Sequence, residues 1–112
     1  MKILVVKPLE PPIETEIDGT LESMQKTVGG CIQAIYPFED DTALVCNDEG
    51  KLNGLPLNRA IKDKDGKIYD IIAGTFFLCS APADSDNFES LSEQKIHKYK
   101  ERFKNIELYI KN

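Results

Sequence analysis

The stretch from Asn47 to Arg59 holds most of the residues in this chain that could bind a polar ligand. It places two Gly, one Pro, three Asn and a single Arg within thirteen positions. Gly and Asn tolerate left-handed backbone and Pro fixes φ, so the composition predicts an irregular loop with a definite path. Binding residues concentrate on such loops when a rigid scaffold carries them. The pattern predicts a candidate ligand site at 47–59 without assigning it a chemistry.

Arg59 has the most specific chemistry in this loop. Apart from Arg102, every other basic residue of the chain is a lysine. The planar guanidinium offers five donors and suits a carboxylate or a phosphate, which a lysine cannot reproduce. Two interpretations stay open: contact with an anionic ligand, or a structural bridge from the loop to an acid such as Asp70 or Glu49.

The loop contains further candidate ligand-binding residues. An amide side chain can read a polar ligand edge, but it can also hold left-handed backbone in a turn, and the turn interpretation is favoured for Asn47 and Asn53. Tyr36, Phe38 and Tyr69 could stack on a ligand, although aromatic residues more often fill the core. The tentative ligand-binding set is Arg59, Asn58, Asn53, Lys51 and Asn47.

The motifs of common catalytic and cofactor sites are absent from the sequence. There is no Walker A loop, no G-x-G-x-x-G, no G-x-S-x-G and no H-E-x-x-H. The single histidine, His97, falls in a lysine-rich helical pattern and is predicted to be a solvated surface residue. The acidic run Glu39–Asp41 lacks the oxygen spacing of a calcium loop. We therefore expect no catalytic residue, no cofactor and no metal.

Composition predicts one acidic domain spanning 1–112. The 112 residues are 41% hydrophobic and 29% charged, with a net charge of −5, which disfavours a general nucleic-acid binder. The N-terminus is too short for a signal peptide and no run reaches the length of a membrane span. We expect a cytoplasmic protein that binds neither nucleic acid nor membrane. Three well-separated cysteines, Cys31, Cys46 and Cys79, are predicted to be small buried hydrophobes.

Hydrophobic periodicity predicts an α+β domain: a mostly antiparallel sheet of four to six strands with two packed helices. A short helix is predicted near 20–28, stopped by Gly29-Gly30, and a C-terminal helix near 91–104, started by a capping box at Ser90 and Glu93. Residues 107–110 fit either more helix or an edge strand. The predicted strands are 2–7, 13–17, 31–37, 42–47, the two flanks of a hairpin turn at 63–66, and a buried central strand at 71–79.

Four blocks of this sequence occur in an order that resembles a known family. They are Leu21-x-x-Met24-Gln25-x-x-Val28-Gly29-Gly30-x-Ile32-x-x-Ile35, then Cys46–Leu52, then Leu55–Arg59, then Asp70–Phe76. The chain resembles the domain of unknown function three-eight-four-six from Met1 to about Pro82, with the C-terminal helix outside. The resemblance implies a small protein carried by phages, conjugative elements and gut Firmicutes. It brings no activity and no catalytic residue with it.

Three hypotheses about function follow. The first is a non-catalytic protein that sequesters a small anionic, nucleotide-like ligand in host-defence antagonism, with a homo-oligomer as one way to complete the pocket. The second is an interaction module that inhibits a host protein through a sheet edge or the 47–59 loop. The third is a small hydrolase, which the missing motifs place last.

Overall fold

A five-stranded antiparallel sheet forms the middle layer of the molecule. The computed structural model describes residues 1–109, and its main sheet has the strand order β2-β1-β7-β4-β3, while β5 and β6 form a separate two-stranded hairpin. The predicted α+β class, its antiparallel sheet and its two helices are confirmed. The elements are β1 Lys2–Val6, β2 Ile13–Glu16, α1 Leu21–Val28, β3 Ile32–Ile35, β4 Thr42–Asn47, β5 Leu57–Lys62, β6 Ile68–Ala73, β7 Phe76–Ser80 and α2 Glu93–Arg102.

Both faces of the main sheet are buried. Successive side chains of a strand point to opposite faces, so β1 sends Ile3 and Val5 to one side and Leu4 and Val6 to the other. The first face packs against α1, and the second packs against α2 and the β5–β6 hairpin. The continuous apolar runs of β1, β4 and β7 follow from this two-sided burial. The result is three layers, with α1 on one side and α2 plus the hairpin on the other.

The helix α1 begins and ends where the sequence predicted. Thr20 is its N-cap, and the Thr20 hydroxyl accepts a hydrogen bond from the Ser23 N–H at 3.1 Å. Gly29 closes the helix with φ at 80°, a left-handed conformation that glycine adopts without strain. Thr20 and Gly29 each use local chemistry, which explains why these boundaries are readable from sequence.

The predicted central strand at 71–79 is wrong, because two strands in different sheets share that run. β6 ends at Ala73 and belongs to the hairpin, whereas β7 starts at Phe76 in the middle of the main sheet. Gly74 makes the turn between them with φ at 82°, and its N–H donates to the Pro56 carbonyl at 2.7 Å. A hydropathy pattern alone predicts one continuous strand here, because both strands are apolar.

The capping box predicted for α2 is also wrong. The N-cap is Ser92, whose hydroxyl accepts from the Lys95 N–H at 3.3 Å. The Ser90 hydroxyl instead accepts from the Lys2 N–H at 2.9 Å, and Glu93 pairs with the Lys2 ammonium at 2.8 Å. Ser90 therefore ties β1 to the segment before the helix.

Residues 107–110 were predicted to be either more helix or an edge strand. Residues 107–109 are neither helix nor strand, and Ile110 lies outside the described residues.

The three cysteines divide between core and surface. Cys46 and Cys79 are buried, as predicted, and burial raises the pKa of the Cys46 thiol to about 11 and of the Cys79 thiol to about 12. Cys31 is exposed, contrary to the prediction, because it precedes the edge strand β3.

No helix within residues 1–109 is long and apolar enough to cross a membrane.

Candidate functional site

Asn58 and Arg59 lie inside the protein rather than on a loop surface. They belong to β5, and neither side chain has any exposed surface. The Asn58 amide donates to the Val6 and Gly74 carbonyls, both at 2.9 Å, and so joins the end of β1 to the turn before β7. The 47–59 loop therefore ends three residues earlier than predicted. The Asn58 side chain is therefore fully used inside the fold, since its oxygen also accepts from Arg59.

The Arg59 guanidinium bridges three separate parts of the fold. It donates to the Phe103 carbonyl at 3.1 Å, to the Glu10 carbonyl at 2.8 Å and to the Asn58 side-chain oxygen at 2.8 Å. Of the two interpretations of Arg59, the geometry favours the structural bridge. Its hydrogen-bond partners are these uncharged oxygens, however, and not the acids Asp70 or Glu49. Burial lowers the pKa of Arg59. We drop Arg59 and Asn58 from the ligand-binding set because neither has a surface that a ligand could reach.

The remaining predicted residues do not gather into one anion site. Asn47 and Lys51 line a hollow of about 140 Å³, and its other charged members, Asp48, Glu49 and Asp70, are all acids. The Asn47 side chain is used within the fold, donating to the Val28 carbonyl at 3.3 Å and accepting from the Glu49 N–H at 2.8 Å. Lys51 is paired with Asp70 at 2.6 Å. Asn53 is exposed in the neighbouring turn, outside the hollow.

A larger cleft opens between α2 and the β5–β6 hairpin. Its volume is about 800 Å³, and it is closed on one side by the segment that links β3 to β4. The hairpin turn predicted at Asp63–Gly66 is present, and its Asp63 carboxylate accepts from the Asp65 and Lys67 N–H groups, both at 2.9 Å. The residues lining the cleft are Pro37, Phe38, Glu39, Ala60, Lys62, Asp63, Lys64, Gly66, Tyr69, Lys98, Tyr99, Arg102, Phe103 and Glu107.

Basic side chains in the cleft are free to meet a ligand. Lys62, Lys64 and Arg102 are exposed, and none of them forms a salt bridge with an Asp or Glu among residues 1–109. Lys98, by contrast, pairs with Asp40 at 3.4 Å. The cleft lining holds four basic residues, with Lys98 included, and three acids, Glu39, Asp63 and Glu107, so its formal charge is about +1 in a chain whose net charge is −5.

Aromatic rings accompany these cations. The Arg102 guanidinium lies 5.0 Å from the centre of the Phe38 ring, and its amino group donates to the Lys62 carbonyl at 3.2 Å. Such an arrangement fixes the plane of the guanidinium while leaving its other edge free. Tyr69 also lines the cleft and is 53% exposed. Tyr69 and Phe38 were among the stacking candidates in the sequence, whereas Tyr36 is not part of the lining.

An aspartate–tyrosine contact joins α2 to the segment that links β3 to β4. The buried Tyr99 hydroxyl donates to the Asp40 carboxylate at 2.8 Å, and the Thr42 N–H donates to the same side chain at 2.9 Å. Partial burial alone would raise the pKa of Asp40, but these hydrogen bonds and the Lys95 charge lower it to about 2. Burial and the bond to Asp40 both raise the pKa of Tyr99. The acidic turn thus anchors α2, and Lys95 adds an ion pair with Asp41.

Sequence reasoning missed the basic members of this cleft. Lys62 directly precedes, and Lys64 lies within, the turn at 63–66 that pattern analysis uses only to define a hairpin. Arg102 lies near the end of a lysine-rich helix whose charges are typical of an ordinary solvated face. One available signal was that the chain contains only two arginines. Lys62, Lys64 and Arg102 form one surface only because α2 packs beside the hairpin.

The fold and the cleft define a small α+β protein with a concave surface that combines basic and aromatic side chains. The chain matches the family described as a domain of unknown function (DUF3846) over residues 1–104, and it belongs to that family. The match extends beyond Pro82, so the prediction that α2 lies outside the family was wrong. No curated protein and no solved structure matches the chain.

Proposed function

We propose that this protein is a non-catalytic binding protein whose cleft between α2 and the β5–β6 hairpin holds a small anionic, nucleotide-like ligand. The observation that carries the proposal is the presence in one cleft of three cations that form no salt bridge within residues 1–109, Lys62, Lys64 and Arg102, together with the half-exposed Tyr69. Phosphate oxygens pair with Arg and Lys, and a nucleobase stacks on an aromatic ring. A ligand that carries both groups would use both kinds of side chain.

The size of the cleft supports a ligand of this class. Pockets for small molecules measure roughly 300–1,000 Å³, and the volume of about 800 Å³ accommodates a nucleotide with room to spare. The cleft is open on one side, which leaves part of the ligand in water. Compared with the first hypothesis drawn from the sequence, the ligand class is retained while the binding residues change from the 47–59 loop to the cleft.

The biological role that we propose is sequestration of a host nucleotide by a phage or mobile-element protein in the bacterial cytoplasm. This role follows from the context that the family resemblance implies, together with the anionic ligand proposed above. A binder of this kind needs no catalytic group, only a site that competes with the host receptor for the ligand. Its native mass, measured alongside binding, would show whether a homo-oligomer completes the open side of the cleft.

Calorimetric titration of the purified chain with a nucleotide panel tests the proposal. The panel contains nucleoside mono-, di- and triphosphates and cyclic dinucleotides. A hydrogen bond to a charged group contributes about 1.5–3 kcal/mol, so Arg102→Ala should weaken binding of the recognised nucleotide by about ten- to a hundred-fold. Lys100→Ala is the matched control, because Lys100 is an exposed cation of α2 outside the cleft. Equal affinities for both variants, or a wild-type chain that binds no member, would refute the proposal.

The same samples separate binding from hydrolysis. Each nucleotide is recovered after incubation and its phosphate content is measured by chromatography. We expect intact ligand, because the single histidine, His97, lies exposed on α2 and is not part of the cleft lining. Turnover that depends on cleft residues would instead favour the small hydrolase considered above.

A protein partner is the second candidate function, favoured by the unequal edges of the main sheet. The edge strand β2 carries Glu14 and Glu16, and charges of this kind discourage pairing with another strand. The opposite edge, β3, carries no charge, and Tyr36 directly after it is 62% exposed. A host protein could add a strand there. Pull-down from a host lysate with a Gln33→Lys variant, and Thr15→Lys in β2 as control, would reveal such a partner.

A further inference from the structure

The carboxylate of Glu107 occupies a small group of hydrogen-bond donors inside the cleft. One Glu107 oxygen accepts from the Ala60 N–H at 3.1 Å and from the Tyr109 hydroxyl at 2.5 Å. Ala60 and Glu107 both line the cleft. The Ala60 N–H is available because it lies on the side of β5 that faces away from β6. A backbone N–H at an open strand edge is a ready donor for any anion.

Electrostatics at this position also favours an anion. Arg59 precedes Ala60, is fully buried and makes no salt bridge with an acid among residues 1–109. Burial lowers the pKa of Arg59, and the nearby Glu107 charge partly offsets that shift. Burial, followed by the bond to Glu107, raises the pKa of Tyr109 to about 12, so its hydroxyl remains a donor at neutral pH.

The segment that delivers Glu107 is weakly held. Residues 104–109 form neither helix nor strand, and the apolar side chains Ile106 and Leu108 are 46% and 78% exposed. Segments that bury little apolar surface open at low free-energy cost. Displacing Glu107 from Ala60 therefore requires replacing the hydrogen bonds of its carboxylate and its charge interaction with Arg59, both of which a phosphate can supply.

We propose that Glu107 is an internal substitute for the anionic group of the ligand, and that the ligand's phosphate displaces it from the Ala60 N–H. The proposal rests on the proposed function and adds a regulatory step to it. While Glu107 accepts from the Ala60 N–H, the chain's own carboxylate competes with the ligand for that donor. A phosphate brings more acceptor oxygens than a carboxylate and can meet Lys62 or Arg102 at the same time. Binding then releases the 104–109 segment from the cleft.

Titration of ¹⁵N-labelled protein with inorganic pyrophosphate and with AMP, followed at the Ala60 amide resonance, tests this proposal. Glu107→Ala should bind at least one probe about ten-fold more tightly than wild type, since a factor of ten corresponds to about 1.4 kcal/mol, roughly the value of a single net hydrogen bond. Glu107→Gln, which keeps an acceptor without the charge, should fall between the two. Glu101→Ala is the control, because Glu101 is an exposed acid of α2 outside the cleft.

The possible outcomes separate this proposal from the proposed function. If wild type binds nucleotides in the cleft and Glu107→Ala binds them no better, the substitution role is overturned while the function stands. If only Glu107→Ala shows a shift of the Ala60 resonance, the role of Glu107 is supported, and the wild-type chain is closed to that probe. If neither protein responds to pyrophosphate, AMP or the nucleotide panel, both proposals are overturned.

Discussion

Replacing Arg59 should destabilise the fold far more than replacing Arg102, although both are the same residue type. Arg59 has no exposed surface and its guanidinium makes three hydrogen bonds within the described part of the chain, residues 1–109, whereas Arg102 is exposed and makes one there. The structure therefore assigns Arg59 to stability, whereas Arg102 belongs to the binding cleft proposed above. The two single variants Arg59→Ala and Arg102→Ala separate these roles.

The expected magnitude follows from the partners of Arg59. Its removal leaves the Phe103 carbonyl and the Asn58 oxygen buried without a donor, while the exposed Glu10 segment can be hydrated. Each lost bond to a charged group costs about 1.5–3 kcal/mol, and release of the guanidinium from its buried site returns part of this. We expect Arg59→Ala to lower the free energy of unfolding by about 3–5 kcal/mol, a large share of the roughly 5–15 kcal/mol of a typical domain.

Urea denaturation followed by circular dichroism measures both variants under the same conditions. Arg59→Lys should recover little, because a single ammonium cannot reach three acceptors in different directions. Arg102→Ala should lose about 1–2 kcal/mol, the combined value of an exposed cation–π contact and one surface hydrogen bond. A loss below about 1 kcal/mol for Arg59→Ala would refute the reasoning that these buried bonds hold the fold together.

Three further predictions concern packing, pH and thiol reactivity. Gly50→Ala should cost about 1–3 kcal/mol in urea denaturation, because the new methyl would lie 2.7 Å from the Ala73 carbonyl oxygen; wild-type stability would show that this turn can shift freely. The pKa of Asp40 is about 2 in the folded state against an ordinary value of 3.8, so its contribution is complete above about pH 4 and disappears as the pH falls through about 2. Tyr99→Phe should flatten the acid dependence of stability between these limits, and an unchanged slope would contradict the role of this hydrogen bond. Cys31 should react with N-ethylmaleimide in the native state while the two buried cysteines do not, which mass spectrometry records as one adduct per chain; two or three adducts would contradict the burial of the others.

Several elements of this fold could be predicted because local chemistry defines them. Thr20 and Gly29 fix the ends of α1 through a side-chain cap and a left-handed residue, and Asp63–Gly66 supplies the turn of the hairpin. The strand 42–47 is a continuous apolar run that ends at a turn, and its bounds agree with the prediction. In each case the residues that decide the structure lie within a few positions of one another.

The errors in the prediction arose where distant contacts decide. Ser90 has the right spacing for a capping box, but the backbone N–H of Lys2 takes its hydroxyl, and Ser92 caps α2 instead. The run 71–79 divides at Gly74 because β6 pairs with β5 in the hairpin, whereas β7 pairs with β1 and β4 in the main sheet. Local patterns carry no information about which sheet a strand will join.

Sequence alone determined the fold class of this protein, most of its elements and the family to which it belongs. It also identified Arg59 as unusual, but only the tertiary structure decided that this arginine lies inside and that Arg102 lies beside Lys62 and Tyr69 in a cleft. The physical reason is range: caps, turns and apolar periodicity act between near neighbours in the chain. The surroundings of a charge depend instead on how α2 and the β5–β6 hairpin pack on one sheet.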